Sequence, residues 1–336
     1  MKAGYARFKN QLLSIVIPVH NEAAVIPILL DRLDTVIATL ESPVELVFVD
    51  DGSTDNSVAL LLAGQDHLAR IRVLRLSRNF GKEAAVSAGL REARGDAVIL
   101  IDADLQDPPE LIPRMVTEWQ KGADVVLMKR RSRAGESWLK RLTASLFYRL
   151  INHISDSPIP VDTGDFRLMS RRTIDALNKL PERNRYLKGM FAWVGMPTVT
   201  LEFDRDSRAA GNTKWNYFKL VQLAMEGITS FSTKPLRVAL LLGLMAAGAG
   251  GMFGLWEVLK VLIFGVSTPG YASMIAVITF LAGVQLLGIG LLGEYVGRIY
   301  METKQRPIFI LADELETGSS RNQFPKLKVA GDDTAR

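Results

Sequence analysis

Ala97-Val-Ile-Leu-Ile-Asp102-Ala-Asp104-Leu-Gln106-Asp107-Pro-Pro-Glu110 is the stretch on which the fold turns. Apolar residues run together without a break and then stop at a cluster of carboxylates. A run that is apolar at every position belongs to a strand covered on both faces, as in a parallel sheet between helical layers. The pattern occurs again on both sides of this stretch. Leu13-Ser-Ile-Val-Ile-Pro-Val19, Glu45-Leu-Val-Phe-Val-Asp50, Ile71-Arg-Val-Leu-Arg-Leu76 and Asp124-Val-Val-Leu-Met128 all read as strands. Helical segments separate most of them, which predicts an α/β, doubly wound, mostly parallel sheet of Rossmann-like form. Ligands of such a sheet bind at the carboxyl ends of its strands.

Those ends carry the unusual residues. The first strand runs into Pro18-Val-His-Asn21-Glu22 and the second into Asp50-Asp51-Gly52-Ser53-Thr54-Asp55. One acidic strand end is readily explained as a helix cap, and Ser53 or Thr54 suits that role. Acidic clusters at two ends of one sheet repel, and a bound cation or hydrogen-bonding ligand has to balance them. Asp102 and Asp104 offer hard oxygen ligands two residues apart. They suit Mg²⁺ or Mn²⁺ bridging a diphosphate, with Gln106 adding a neutral oxygen. Such a metal neutralises charge on a departing nucleotide diphosphate.

Other chemistries are disfavoured. No Gly-x-Gly-x-x-Gly follows the first strand and there is no P-loop, so neither a nicotinamide dehydrogenase nor a P-loop ATPase is indicated. The chain has 0 cysteines, which removes disulfides, thiolate zinc sites and cysteine nucleophiles. Its 3 histidines form no ligand-like pair, so a zinc hydrolase is unsupported.

The composition divides the chain. Of its 336 residues, 48% are hydrophobic and the mean hydropathy is +0.13. That is high for a soluble protein and low for one lying wholly in a membrane. Residues 238–256 carry no charge, and Tyr271 to Gly293 is a second uncharged run. Each approaches the roughly 20 residues that a helix needs to cross a bilayer. Gly265-Val-Ser-Thr-Pro-Gly270 between them is rich in turn formers. The pattern predicts a membrane hairpin with spans at 238–260 and 271–294. Basic residues precede the first span, and Arg298, Lys304 and Arg306 follow the second. The positive-inside rule then places both termini in the cytoplasm. The N-terminal ten residues are polar and basic, and the apolar run from Leu12 to Val19 is too short for a leader.

The net charge of +5 and sequence pI near 9.3 favour anionic partners. Lys129, Arg130, Arg131, Arg133, Lys140, Arg141 and Arg149 form one basic cluster. Arg205, Arg208, Lys214, Lys219, Lys234 and Arg237 lead into the first span. Positive charge beside a span points to lipid phosphate and not to nucleic acid. Trp215 to Phe231 mixes aromatic, aliphatic and lysine residues and reads as an amphipathic interfacial helix, or equally as an ordinary packing helix. From about Glu314 the chain reads as a polar tail.

Several motifs now carry a resemblance. They are Ile17-Pro-Val-His-Asn-Glu22, Val49-Asp-Asp-Gly-Ser-Thr-Asp55, Arg78-Asn-Phe-Gly-Lys82, Asp102 to Glu110, Asp162-Thr-Gly-Asp-Phe-Arg-Leu168 and Arg208-Ala-Ala-Gly-Asn-Thr-Lys-Trp215. With this order and spacing the chain resembles the family 2 glycosyltransferases of GT-A fold. Within them it resembles the polyprenyl-phosphate enzymes: dolichol-phosphate mannose synthases and, more closely, bactoprenol (undecaprenyl-phosphate) glucosyltransferases.

The resemblance implies residue roles. Pro18, Asn21 and Glu22 lie against uridine or ribose, and Asp50 and Asp51, with Gly52, meet base and ribose. Lys82 meets phosphate, helped by Gly81 opening a helix. Asp102, Ala103 and Asp104 hold the nucleotide, and Asp102, Asp104 and Gln106 hold the metal. Asp165 matches the family's catalytic aspartate, although pairing with Arg167 or Arg171 is a purely structural reading of the same residue. Arg130 and Arg131 receive the acceptor phosphate, and Arg205, Arg208 and Lys214 belong to a mobile loop near it.

The resemblance also implies domains: a cytoplasmic GT-A domain over 1–213, a juxtamembrane helix over 214–235, two transmembrane helices within 236–296, and a cytoplasmic C-terminal segment over 297–336. It implies inverting transfer from UDP-glucose to undecaprenyl phosphate at the inner membrane, serving cell-envelope glycan or lipid modification. GDP-mannose, a UDP-aminopentose, UDP-galactose and a UDP-N-acetylhexosamine stay open as donors. Membrane lipid is a further partner, and a homo-oligomer, often tetrameric in this family, is implied. Two other readings fit less well. A processive synthase lacks its expected Gln-x-x-Arg-Trp here, and a non-catalytic scaffold or flippase component leaves the acidic motifs unexplained.

Overall fold

The computed structural model describes residues 11–63, 69–131, 163–183, 185–203, 234–264 and 270–316. Arg205, Arg208, Lys214, the helix expected over 214–235 as far as residue 233, and the tail beyond Glu316 lie outside the described residues.

The apolar runs form strands as expected. These are β1 (Leu13–Val19), β2 (Val44–Asp50), β3 (Arg70–Leu76), β4 (Ala97–Leu100) and β5 (Val125–Arg130). Three helices follow the first three strands: α1 (Ile26–Ile37), α2 (Ser57–Ala63) and α3 (Lys82–Glu92). A 3₁₀ turn (Pro109–Leu111) and α4 (Ile112–Gln120) follow β4. Further along lie β6 (Thr163–Ser170), α5 (Arg171–Asn178), α6 (Leu187–Val194) and β7 (Thr198–Phe203). Two long helices, α7 (Lys234–Phe264) and α8 (Tyr271–Thr303), precede β8 (Leu311–Glu316).

One 8-stranded sheet has the order β7-β5-β6-β4-β1-β2-β3-β8. Its centre, β4-β1-β2-β3, is parallel. β6 enters antiparallel to both β4 and β5. Its register runs through Leu100↔Arg167, and continuing it two residues brings Asp165 alongside Asp102.

Alternation along β1 sends side chains into two cores. Leu13, Ile15, Ile17 and Val19 pack with residues of α1, α2 and α4. Val16, with Val47 and Val49 of β2, packs against Ala84, Ala85 and Ala88 of α3 on the opposite face. The small residues let α3 lie close to the sheet. A Cβ on Gly89 would stand 2.3 Å from Val16 Cγ1 and 3.0 Å from Val49 Cγ2. This close approach fixes where the first residue of α3, Lys82, begins.

β8 was not legible as a strand. The polar tail expected from about Glu314 instead continues the sheet to Glu316, antiparallel to β3. Its anchor is Arg72, whose side chain is 1% exposed. Arg72 Nη1 donates to Glu45 Oε2 at 3.1 Å and to the Glu92 carbonyl at 3.0 Å. Its Nε and Nη2 donate to Glu314 Oε1 at 3.1 and 2.7 Å. Glu45 Oε1 also accepts from Ser14 Oγ and from the Arg94 amide. A buried arginine is stable only when paired and hydrogen-bonded in this way.

The helices α7 and α8 pack on each other and cover the residues expected as spans, 238–260 and 271–294. Val238–Trp256 and Phe280–Thr303 are long and apolar enough to cross a membrane, and neither window is buried within the protein. Leu240, Leu262, Phe264, Leu286 and Leu287 are exposed. An apolar surface this continuous requires lipid or another apolar covering.

Candidate active site

The ends of β1 and β2 are stitched together. Asn21, at a positive φ of 56°, donates its amide to Ser53 Oγ at 2.9 Å and accepts the Thr54 amide on Oδ1 at 2.8 Å. The Glu22 amide donates to Ser57 Oγ and the Ala23 amide to Asp55 Oδ2. Pro18 pairs with Val49 in the β1–β2 ladder just beneath. Asp50 is buried and accepts the Ser53 amide at 3.1 Å.

Asp51 is also buried, and both of its oxygens are engaged. Oδ1 accepts the Phe80 amide at 2.7 Å and Oδ2 the Gly81 amide at 2.9 Å. Its first role is therefore to shape the turn that opens α3. Gly52 has φ +68°, and a Cβ there would stand 2.7 Å from backbone atoms of Arg78 and Asn79. Only glycine lets these two loops meet.

Lys82 is the centre of the site. Its Nζ donates to Asp102 Oδ2 at 2.8 Å and to Asp165 Oδ2 at 2.6 Å. Three residues far apart in the chain meet at this ammonium. Burial disfavours its charge, but Asp102 and Asp165 outweigh burial and hold its pKa above the ordinary lysine value. Burial likewise opposes the charge on Asp165. Lys82, Lys188 and Arg167 overcome it and depress that carboxyl to about 2. Burial lowers the Arg167 guanidinium to about 10, against the pull of Asp165 and Glu83.

The Asp165 carboxylate is hydrogen-bonded to neither Arg167 nor Arg171. Arg167 donates to the carbonyl oxygens of Asp165 and Gly164, not to the Asp165 carboxylate. Arg171 turns away to the carbonyls of Ala93 and Gly95. The Asp165 carboxylate faces Lys82.

Asp102 Oδ1 has no hydrogen-bond partner; Lys82 Nζ lies 2.7 Å from it but off the bonding direction. Asp104 Oδ1 accepts the Gln106 amide at 3.2 Å. Leu105 between them adopts φ +59° and buries its side chain, as does Ala103. Ala103 therefore offers a ligand only its backbone. Among the described residues, no group of three or more acidic or histidine side chains gathers as a complete metal cage. Asp102 and Asp104 make a partial set of hard oxygen donors, with the Asp102 carboxylate paired to Lys82. Such donors suit a divalent cation.

The two arginines that the resemblance assigns to the acceptor separate. Arg130 Nη2 lies 3.3 Å from where a Cβ on Gly164 would sit, next to Asp165. Arg131 is exposed and stands 3.8 Å from Glu202 Oε2 on β7. Lys188 and Glu83 complete the charge around Asp165. Lys188 was not foreseen, because α6 reads as an apolar helix with one incidental lysine.

The glycosyl transferase family 2 pattern matches residues 14–177. A second pattern, the GtrB C-terminal hairpin, matches residues 234–299. An uncharacterized glycosyltransferase of Synechocystis is 47% identical over 301 residues, covering 90% of this chain and 95% of that protein. The bactoprenol glucosyl transferase of Shigella phage SfX is 48% identical over 301 residues, covering 89% and 98%. A prophage bactoprenol glucosyl transferase homolog of Escherichia coli K12 is 48% identical over the same length, with the same coverage.

Proposed function

Because the chain belongs to the polyprenyl-phosphate glycosyltransferases of family 2, with a GT-A sheet, we propose that it moves glucose from UDP-glucose to undecaprenyl phosphate with inversion. The observation that carries this reading is the Lys82 ammonium held between Asp102 and Asp165 at the sheet's carboxyl edge. Bactoprenol, a polyprenyl lipid, is the acceptor in the names of the relatives, and the exposed apolar helices α7 and α8 give this chain the means to meet such a lipid.

In this reading the stitched ends of β1 and β2 seat the nucleoside, with Pro18, Asn21, Glu22 and Asp50 closest to it. Lys82 meets the diphosphate. Mg²⁺ or Mn²⁺ held by Asp102 and Asp104, with Gln106 alongside, supplies charge neutralisation for the leaving diphosphate. The acceptor phosphate oxygen forms a bond to the anomeric carbon as the bond to the UDP oxygen breaks. Both reactants are anionic, so Arg130 and Arg131 offset their repulsion. Arg205, Arg208 and Lys214 join them in the same proposal. The basic flanks of the spans support a catalytic domain and both termini on the cytoplasmic face, and the expected homo-oligomer belongs to this proposal too.

The test is a screen of radiolabelled nucleotide sugars with the full chain, undecaprenyl phosphate and Mg²⁺ or Mn²⁺. Label from UDP-glucose should move into the organic phase. Transfer from a different donor alone would replace the sugar assignment, and transfer to water alone would overturn the acceptor.

Arg131→Ala is expected to raise KM for the lipid phosphate by about tenfold, the loss of one hydrogen bond to a charged group. KM for the sugar nucleotide should change far less. An unaltered lipid KM removes Arg131 from the acceptor site.

A further inference from the structure

Helix α6 starts without a side-chain cap from its own N-cap residue, Tyr186. Its first amide, Leu187 N, donates instead to Glu83 Oε2 at 3.3 Å. Glu83 comes from the first turn of α3, 104 residues earlier, and is the chain neighbour of Lys82. One turn into α6, the Phe191 ring lies 3.9 Å from the Arg167 guanidinium. Arg167 in turn donates to the carbonyls of Gly164 and Asp165. The short helix is therefore tied at its start to the helix that carries Lys82, and further along to the strand that carries Asp165. The loop entering α6 is held from a third side, where the Arg183 amide donates to both Glu302 oxygens on α8 at 2.9 and 3.0 Å.

We propose that Glu83 is a positioning residue for sugar transfer: it anchors the first turn of α6 and so holds Lys188 beside the Lys82–Asp165 pair. This rests on the transfer reaction proposed above. Glu83 contacts neither reactant in that scheme. It acts through α6, whose Lys188 adds positive charge to Asp165. An unfilled helix N-terminus favours an acceptor oxygen, and a carboxylate satisfies both the bare amide and the helix dipole.

The surroundings of Glu83 supply a second handle. It faces Lys82 on its own helix, Asp165 and Arg167 on β6, and Lys188 on α6. Burial first, and Asp165 second, push its carboxyl up to about 7 from an ordinary 4.5, against the Leu187 amide and the two lysines. The folded pKa lies above the unfolded one. The stability linked to this group is therefore fully present below about 4.5 and is lost as pH rises through about 7. Glutamine keeps the acceptor oxygen but does not titrate.

The test compares the full-length wild type with Glu83→Gln and Glu83→Ala. Turnover with UDP-glucose and undecaprenyl phosphate should fall at least tenfold in Glu83→Ala and stay near wild type in Glu83→Gln at pH 7. Hydrogen exchange at Leu187–Met190 should accelerate in Glu83→Ala only. The wild type should lose melting temperature relative to Glu83→Gln between pH 5 and 8. Full activity in Glu83→Ala would overturn the proposal. So would equal loss in both variants, since the carboxylate would then act directly. Failure of every donor to react would sink the transfer reading, and the exchange rates would still decide whether Glu83 anchors α6.

Discussion

Asp165→Asn is expected to lower turnover by roughly 10²–10³-fold, the loss typical of removing one preorganised electrostatic group, while UDP affinity stays almost unchanged. The substitution keeps the shape of the side chain and deletes its charge. Lys82 then loses one of the two carboxylates that fix its ammonium. In the proposed reaction the ammonium, held by Asp102 alone, still pairs with the bound diphosphate but is no longer aligned on the departing oxygen. A lost general base is a weaker explanation. The acceptor phosphate has a second pKa near ~6 and is mostly dianionic at neutral pH. The Asp165 carboxyl, held at about 2, has little affinity for a proton there. UDP affinity survives because the stitched ends of β1 and β2 make no hydrogen bond to Asp165 among the described residues. Initial rates report turnover and calorimetry reports UDP binding. Losses of equal size in the two would sink this assignment.

Arg72→Met is expected to destabilise the protein by about 3–5 kcal/mol, the usual result of removing one partner from a buried ion pair. The loss is not one of packing volume, because methionine fills much of the same space. Glu45 would remain buried with its charge uncompensated, and Glu314 would lose its bonds to Nε and Nη2. Adding Glu45→Leu should return only part of the stability, since it removes the uncompensated charge but leaves the Ser14 hydroxyl and Arg94 amide without their acceptor. Denaturant midpoints in detergent measure both variants. Activity per folded molecule should hold, because Arg72 lies at the start of β3 and the site at the opposite ends of the strands. A midpoint for Arg72→Met equal to wild type would show that the pair contributes nothing.

The parallel centre of the sheet was legible because β1, β2 and β4 are nearly unbroken apolar runs, a pattern with few alternatives, while β3 interleaves its apolar residues with Arg70, Arg72 and Arg75. Their acidic ends named Asp102 and Asp104, and charge-free length named the two long helices. β6 was harder. Thr163-Gly-Asp-Phe-Arg-Leu-Met-Ser170 mixes charge with apolar residues, and nothing local says that it slots antiparallel between β4 and β5. Asp165 could be named only by resemblance, and its pairing with Lys82, 83 residues away, only by the fold. Glu83 was hidden for the same reason, since its reason for being acidic is an amide on another helix. β8 was missed because edge strands carry charge to discourage stray pairing, and Leu311-Ala-Asp-Glu-Leu-Glu316 therefore resembles a solvated tail.

The late arrival of β8 also governs how the molecule is assembled. Arg72 and Glu314 are 242 residues apart, and both apolar helices are made between them. At translation speeds of 5–20 residues per second, β3 waits roughly 10–50 s for its outer neighbour. Throughout that interval its rim is naked and its arginine has Glu45 but not Glu314 to pair with, the condition in which nascent sheets seize the wrong strand. Completion of the catalytic half thus depends on the ribosome first clearing the greasy half, and a fragment ending ahead of Leu311 would stay permanently at the unfinished stage.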